Sequence, residues 1–217
     1  YFMALFAVIF PLELVAKIIP NILLASIAII VYFISKKIVN DNTASLLAAF
    51  TVGFLPILFS TNSFGVESLF IPLVFSAIYC FLNIREKRYL FLYVFIFLIL
   101  CLTSAATFLV IVGFSLYFLL SLVEGKKIEP VEMEMGLFSL FSYVWVQLLF
   151  FKKTLLQEGI SFVWQNIPSP IIQQYFPSFS IVEALVLVSV IPFLAGVVVV
   201  YNSLFQFKNQ QSFLLIS

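Results

Sequence analysis

Few side chains in this sequence could do chemistry, and those that could are mostly carboxylates and lysines near the ends of apolar runs. Glu67 follows the polar residues 61–63 and opens an apolar run, and Glu13 lies shortly before an earlier one. An ionisable group at membrane depth is costly and usually faces a cavity, a partner or a pathway. We therefore expect Glu67, with Asn62 and Glu13, to line a polar cavity that opens to one face of a membrane.

For both carboxylates an interpretation without chemistry stays open. Ser63 or Asn62 could cap a helix, and Glu67 would then simply favour the positive N-terminal end of that helix. Glu13 and Lys17 are four residues apart, which suits an ion pair if that stretch is helical.

Lys152 and Lys153 begin the longest predicted loop, 152–180, which also carries Trp164 and Tyr175. Because Trp and Tyr favour the headgroup level of a bilayer, we expect this loop to lie at the membrane interface. Two interpretations of the lysines are open: they bind the phosphate of a lipid, or they reach from a helix end to the interface.

Composition excludes several classes of site. The chain has no His and two Cys, which removes the usual ligands of zinc and haem and the Cys–His nucleophile pair. Its seven glycines form neither GxxxxGK(S/T) nor GxGxxG, so no nucleotide-binding loop is expected. A net charge of +1 without a basic patch argues against nucleic acid as a partner. We expect Cys80 and Cys101 to be packing residues.

The elements that must position these residues are membrane helices. Of the 217 residues, 64% are hydrophobic, 10% are charged and 28 are Phe. A soluble domain has roughly 45–50% apolar and ~25% charged residues. The mean hydropathy is +1.20. We therefore predict an integral membrane protein whose immediate partner is the lipid bilayer.

Apolar runs that suit membrane helices recur along the whole chain. We predict an all-α, polytopic bundle of seven to eight spans, forming a single transmembrane domain over residues 1–217. The third span carries small residues four apart, which predicts that it is buried in the bundle. Both ends of the sequence fall inside apolar runs, so we expect a segment of a longer membrane protein. The predicted spans are 1–10, 18–35, 44–60, 65–83, 89–102, 104–123, 136–151 and 181–201.

The positions of Lys and Arg orient these spans. Strict alternation places eight basic residues in the loops at 36–43, 84–88, 124–135 and 202–212, and three in the opposite loops. Because basic residues accumulate in cytoplasmic loops, we predict that the first four loops are cytoplasmic, in a multi-pass protein of the cell membrane. The mixed charges of 124–134 predict a solvated turn. The loops predicted on the outer face are 11–17, 61–64 and 152–180.

Residues from Ile18 to about Val123 resemble the membrane region of GT-C glycosyltransferases, which include protein mannosyltransferase-like and aminoarabinose transferase-like enzymes. The matching features are a span that ends in basic residues (VYFISKKIVNDNTASLLAAF) and a proline near the outer end (GFLPILFSTN). An acidic residue at the head of the next span (FGVESLF), a basic inner loop (REKRY) and an outer turn (CLTSAAT) follow. The resemblance covers about half of the chain.

The resemblance implies transfer of a sugar from a polyprenyl-phosphate-linked donor to an acceptor on the outer face, with a carboxylate as general base. The family's usual catalytic carboxylate lies in the first outer loop, upstream of this sequence. Glu67 matches a position where relatives often carry a second acidic residue, and Glu13 is a further candidate from its location. Asn62, Lys152 and Lys153 are the candidate substrate-binding residues.

A divalent cation is the one cofactor left open. It would need oxygen ligands, and four scattered glutamates do not establish a site. They are Glu13, Glu67, Glu158 and Glu183.

Two other functions stay open at this point. The first is a transporter or flippase for a lipid-linked sugar or a small solute. Such proteins tend to show internal repeats and a mid-membrane binding site, and the sequence shows no convincing repeat and no charge in the middle of a span. The second is a non-catalytic membrane subunit.

Overall fold

The computed structural model describes residues 11–55, 67–104, 106–158 and 189–205. These residues form α-helices and contain no strand, which confirms the all-α prediction for this part of the chain. In chain order the helices are α1 (Leu12–Val39), α2 (Asn42–Gly53), α3 (Glu67–Leu82), α4 (Lys87–Thr103), α5 (Thr107–Val123), α6 (Pro130–Glu158) and α7 (Val190–Phe205).

The turn between α1 and α2 is set by two short polar residues. Asn40 adopts a left-handed conformation with φ 56° and its N–H bonds to the carbonyl of Lys36, which closes the end of α1. The Asp41 side chain accepts a 3.0 Å hydrogen bond from the N–H of Thr43 and so caps the start of α2. The chain therefore reverses within two residues, and α2 packs back on α1.

Ring contacts between helices show which way α1, α3 and α4 run. Phe33 and Tyr79 lie near the C-terminal ends of α1 and α3, and their ring centroids are 6.0 Å apart. The two helices therefore run parallel. Tyr79 also contacts Tyr89, in the first turn of α4, with centroids 5.6 Å apart. Helices α3 and α4 therefore form an antiparallel pair.

Two hydrogen bonds between helices show the direction in which α6 runs. Tyr93 of α4 and Ser139 of α6 each lie in the N-terminal half of their helix, and their hydroxyl oxygens are 2.6 Å apart. Helices α4 and α6 therefore run parallel. Tyr117 near the end of α5 bonds to Glu132 in the first turn of α6, so these two helices are antiparallel.

These directions bring the turns after α1, α3 and α5 to one end of the bundle, which we call the basic end. The turns after α3 and α5 are joined by an ion pair of 2.8 Å between Arg85 Nη2 and Glu129 Oε1. Both side chains are substantially exposed, so this pair contributes about 0.5 kcal/mol or less to stability. The basic residues at this end are Lys36, Lys37, Arg85, Lys87, Arg88, Lys126 and Lys127.

The core lies between α3, α4, α5 and α6 and is rich in aromatic rings. Phe81 stacks on Phe114 with centroids 4.6 Å apart, and Tyr93 stacks on Phe97 at 5.6 Å. Cys80 and Cys101 are free thiols buried in this core, as predicted for packing residues.

Among the described residues, two helices are long and apolar enough to cross a membrane, over Val15–Val39 and Pro130–Phe150. Helix α2 is shorter than its predicted span, 44–60, because within the described residues it ends at Gly53. The prediction that this span is buried is wrong for α2. Ser45 is fully buried where α2 packs on α1, but Leu47 on the opposite face is 69% exposed because no other described helix covers that face.

Three predicted loops are helical in part. Residues 12–17, 130–135 and 152–158 belong to α1 and α6. Both helices begin at a proline or directly after one, at Pro11 and Pro130, since proline needs no hydrogen bond there and presets the backbone for a helix. The predicted span 1–10 and the loop residues 61–64 and 159–180 lie outside the described residues.

Candidate functional site

Four of the five candidate residues proposed from the sequence belong to described helices, and these four lie at the end of the bundle opposite the basic end. Glu13 is exposed in the first turn of α1, and Glu67 is the first residue of α3. Lys152 is exposed near the far end of α6, and Lys153 follows it in the same helix. Asn62 lies outside the described residues.

Glu13 and Glu67 are not level with each other. Tyr79 is twelve residues after Glu67, and it contacts Phe33 on the parallel helix α1. Twelve residues before Phe33 in α1 is Asn21, so Glu67 lies level with Asn21. Glu13 is eight residues before Asn21. At 1.5 Å per residue of an ideal helix, these eight residues correspond to an offset of about 12 Å along the helix axis.

The interpretation of Glu13 as the partner of Lys17 is corrected by the structure. The stretch is helical, as that interpretation required. Within the described residues, however, the ion pair that forms is between Arg85 and Glu129, and none joins Glu13 to Lys17. Both side chains are exposed, so water solvates the two charges separately.

The structure reveals a buried polar stripe along α6 that the sequence interpretation missed. It consists of Glu132, Ser139 and Ser142, which are 9%, 1% and 5% exposed. The prediction of a solvated turn over 124–134 is therefore wrong at its C-terminal end. Because α6 begins at Pro130, Glu132 is carried into the helix packing instead of staying in a turn.

Glu132 is held by a hydrogen bond from α5. The Tyr117 hydroxyl donates to Glu132 Oε2 over 3.0 Å, and both groups are buried. Glu132 lies in the first turn of α6, where the positive end of the helix favours a carboxylate. One helical turn after Tyr117, the buried Ser121 Oγ has no hydrogen-bond partner in the described part of the chain.

Ser139 forms the second link of the stripe. Its hydroxyl donates to the carbonyl of Met135 over 2.7 Å, so its proton is already engaged. The Tyr93 hydroxyl, 2.6 Å away and fully buried, is therefore the donor in the Tyr93–Ser139 bond. This bond ties α4 to α6 deep in the bundle.

A spacing pattern in the sequence could have revealed this stripe. Glu132, Ser139 and Ser142 are separated by seven and then three residues, so they share one helix face. The opposite face is apolar and exposed, with Leu137, Leu140, Phe141, Trp145 and Leu148. Polar residues that gather on one face of an otherwise apolar helix mark the face that packs in the membrane interior of a bundle.

The polar stripe of α6 offers hydrogen-bonding groups and few ligands for a metal ion. Among the described residues, no group of three or more His, Cys, Asp or Glu side chains could hold a metal ion. No protein-family model, curated protein or solved structure matches this chain.

Proposed function

We propose that this chain is a multi-pass membrane segment of a GT-C-type glycosyltransferase. The proposed reaction moves a sugar from a polyprenyl-phosphate-linked donor to an acceptor at the membrane face opposite the basic end. Glu67 is the proposed catalytic carboxylate, and the exposed Lys152 is proposed to attract the phosphate of the donor. The bilayer and the lipid-linked donor are the proposed partners.

Membrane integration is supported by the polarity of the bundle. In α5 the buried positions include Thr107, Tyr117 and Ser121, while Leu109, Leu119 and Leu122 are exposed. Helix α6 repeats the pattern with its stripe of Glu132, Ser139 and Ser142. A bundle that buries its polar residues and exposes its large apolar ones is suited to lipid as its solvent.

The orientation is supported by the charges at the two ends. The basic end carries seven of the Lys and Arg residues, and Lys17, Lys152 and Lys153 lie at the other end. Because positively charged ends stay in the cytoplasm, we propose that Glu67 and Lys152 are on the outer side. This is the side on which a polyprenyl-phosphate-linked sugar would be used.

The observation that carries the enzymatic proposal is that Glu67 is the first residue of α3, at the end of the bundle opposite the basic end and within the stretch that resembles the family. In the proposed step the acceptor hydroxyl oxygen bonds to the anomeric carbon while the bond from that carbon to the phosphate oxygen breaks. The polyprenyl phosphate leaves with the bonding electron pair, and the carboxylate takes the hydroxyl proton.

The test compares two conservative substitutions in the full-length protein. Glu67→Gln removes the charge and keeps the shape, and Glu134→Gln makes the same change at an exposed carboxylate of α6 near the basic end. We expect Glu67→Gln to lower the transfer rate by roughly 10²–10⁴-fold, which is the range for loss of a general base. We expect Glu134→Gln to leave it unchanged. Equal rates at equal expression would overturn the catalytic assignment.

A non-catalytic membrane subunit is the second candidate. It is favoured by the offset of about 12 Å along the helix axis between Glu13 and Glu67, because the two catalytic candidates then do not meet at one site. The two candidates differ in the same assay, since a subunit would bind its partner normally in the Glu67→Gln variant and leave turnover intact.

A further inference from the structure

An apolar groove runs along the surface of the bundle between α5 and α6. Its volume is about 430 Å³, and its walls include Ile111, Ser115 and Leu122 of α5 and Met133, Gly136 and Leu140 of α6. The one hydroxyl among these, that of Ser115, already donates to the carbonyl of Ile111 over 2.9 Å. The groove therefore offers its occupant hydrocarbon contacts and no free hydroxyl.

The length of the groove matches one leaflet of a bilayer. From Ile111 to Leu122 the wall spans eleven residues of α5, which is about 16 Å at 1.5 Å per residue. The hydrocarbon core of a bilayer is about 30 Å thick, so one leaflet contributes about 15 Å. A groove of this length accommodates one extended acyl chain from its headgroup level to the bilayer centre.

The groove ends at the basic end of the bundle. Two lysines lie there, in the loop that connects α5 to α6. Leu122 and Ile128 both line the groove, and Lys126 and Lys127 lie between them in sequence. Neither lysine forms an ion pair within the described ranges. The carboxylate of Glu129 is taken by Arg85, and that of Glu132 by Tyr117. Both lysines are therefore available to an anionic group at this end of the groove.

We propose that this groove binds an anionic phospholipid of the leaflet at the basic end. One acyl chain lies between α5 and α6, and the lipid phosphate is held by Lys126 and Lys127. Basic pockets between membrane helices are a recognised mode of binding for anionic headgroups. This site lies at the opposite end from Glu67 and does not depend on the proposed sugar transfer.

Native mass spectrometry of the full chain in mixed micelles tests the charge component. Phosphatidylglycerol and phosphatidylcholine of identical acyl chains are offered together, and the ratio of their bound forms is measured. We expect Lys126→Gln/Lys127→Gln to lower the preference for phosphatidylglycerol by roughly tenfold or more, since each basic residue near the headgroup contributes. The control is Lys36→Gln/Lys37→Gln, the other lysine pair at the basic end, which should leave the preference unchanged.

A second pair of variants tests the groove itself. Ser115→Phe fills its middle, and Val112→Phe adds a ring at an exposed position of α5 outside this groove. We expect Ser115→Phe to reduce binding of both lipids and Val112→Phe to reduce neither. The proposal is overturned if the lysine variant retains the preference for phosphatidylglycerol. It is also overturned if Ser115→Phe changes the oligomeric state and leaves lipid binding intact, because a second copy of the chain then fills the groove.

Discussion

The hydroxyl of Tyr117 and the carboxylate of Glu132 form a buried 3.0 Å hydrogen bond that joins the end of α5 to the start of α6. The loop between these helices, 124–129, carries four charged residues, and yet the carboxylate that follows it is enclosed in the bundle. The bond therefore fixes the level at which α6 pairs with α5.

This bond predicts that two neighbouring glutamates differ sharply in their contribution to stability. Glu132→Ala leaves the Tyr117 hydroxyl without this acceptor in a buried place, so we expect a loss of roughly 1–3 kcal/mol in the free energy of unfolding. Glu134→Ala removes an exposed carboxylate from the same helix and should cost about 0.5 kcal/mol or less. Thermal unfolding in detergent measures both. Equal losses would show that the hydrogen bond does not stabilise the pair of helices.

The Tyr93–Ser139 bond predicts an asymmetry between its two partners. After Tyr93→Phe, the Ser139 hydroxyl still donates to the Met135 carbonyl, so we expect a cost of about 0.6 kcal/mol, typical of one hydrogen bond between membrane helices. After Ser139→Ala, the fully buried Tyr93 hydroxyl has lost its acceptor, so we expect roughly 1–3 kcal/mol. Reversible unfolding in mixed micelles gives both values. The reverse order would mean that Tyr93 is the acceptor in this bond.

The charges at the basic end predict that this end of the bundle faces the cytoplasm. In a Cys80→Ala/Cys101→Ala background, a cysteine introduced as Lys126→Cys should stay unlabelled when intact cells meet a membrane-impermeant thiol reagent. Lys152→Cys, at the other end of the same bundle, should be labelled. Permeabilised cells should label both, which controls for accessibility. Labelling of the first variant in intact cells would reverse the orientation.

The class of fold follows from the sequence because composition and hydropathy report directly on the solvent around a chain. Runs of Phe, Leu and Ile interrupted by short basic segments predict helices and place Lys36, Arg85 and Lys126 in neighbouring turns, and contacts between helices agree with that placement. Helix ends were harder to predict. The charges in the stretch 124–134 predict a turn and a span that begins at 136. In the structure, α6 begins six residues earlier, at Pro130.

The site residues were less accessible to sequence reasoning, for a physical reason. Whether a carboxylate such as Glu132 is solvated or enclosed depends on what a distant segment offers, here the hydroxyl of Tyr117 fifteen residues earlier. The offset of Glu13 and Glu67 likewise depends on how far α3 slides along α1, which the contact of Phe33 with Tyr79 determines. Local residue propensities predict neither of these two relationships.

The inward polar stripe of α6 has a consequence for biogenesis. Left alone in lipid, α6 would present Glu132, Ser139 and Ser142 to hydrocarbon, and a carboxylate there is costly. Its two partners, Tyr93 on α4 and Tyr117 on α5, are both synthesised earlier. A ribosome that delivers the helices in order thus provides the acceptors and donors before the segment that needs them. In the proposed membrane bundle, moving α6 ahead of α4 by circular permutation would insert that segment before its two partners.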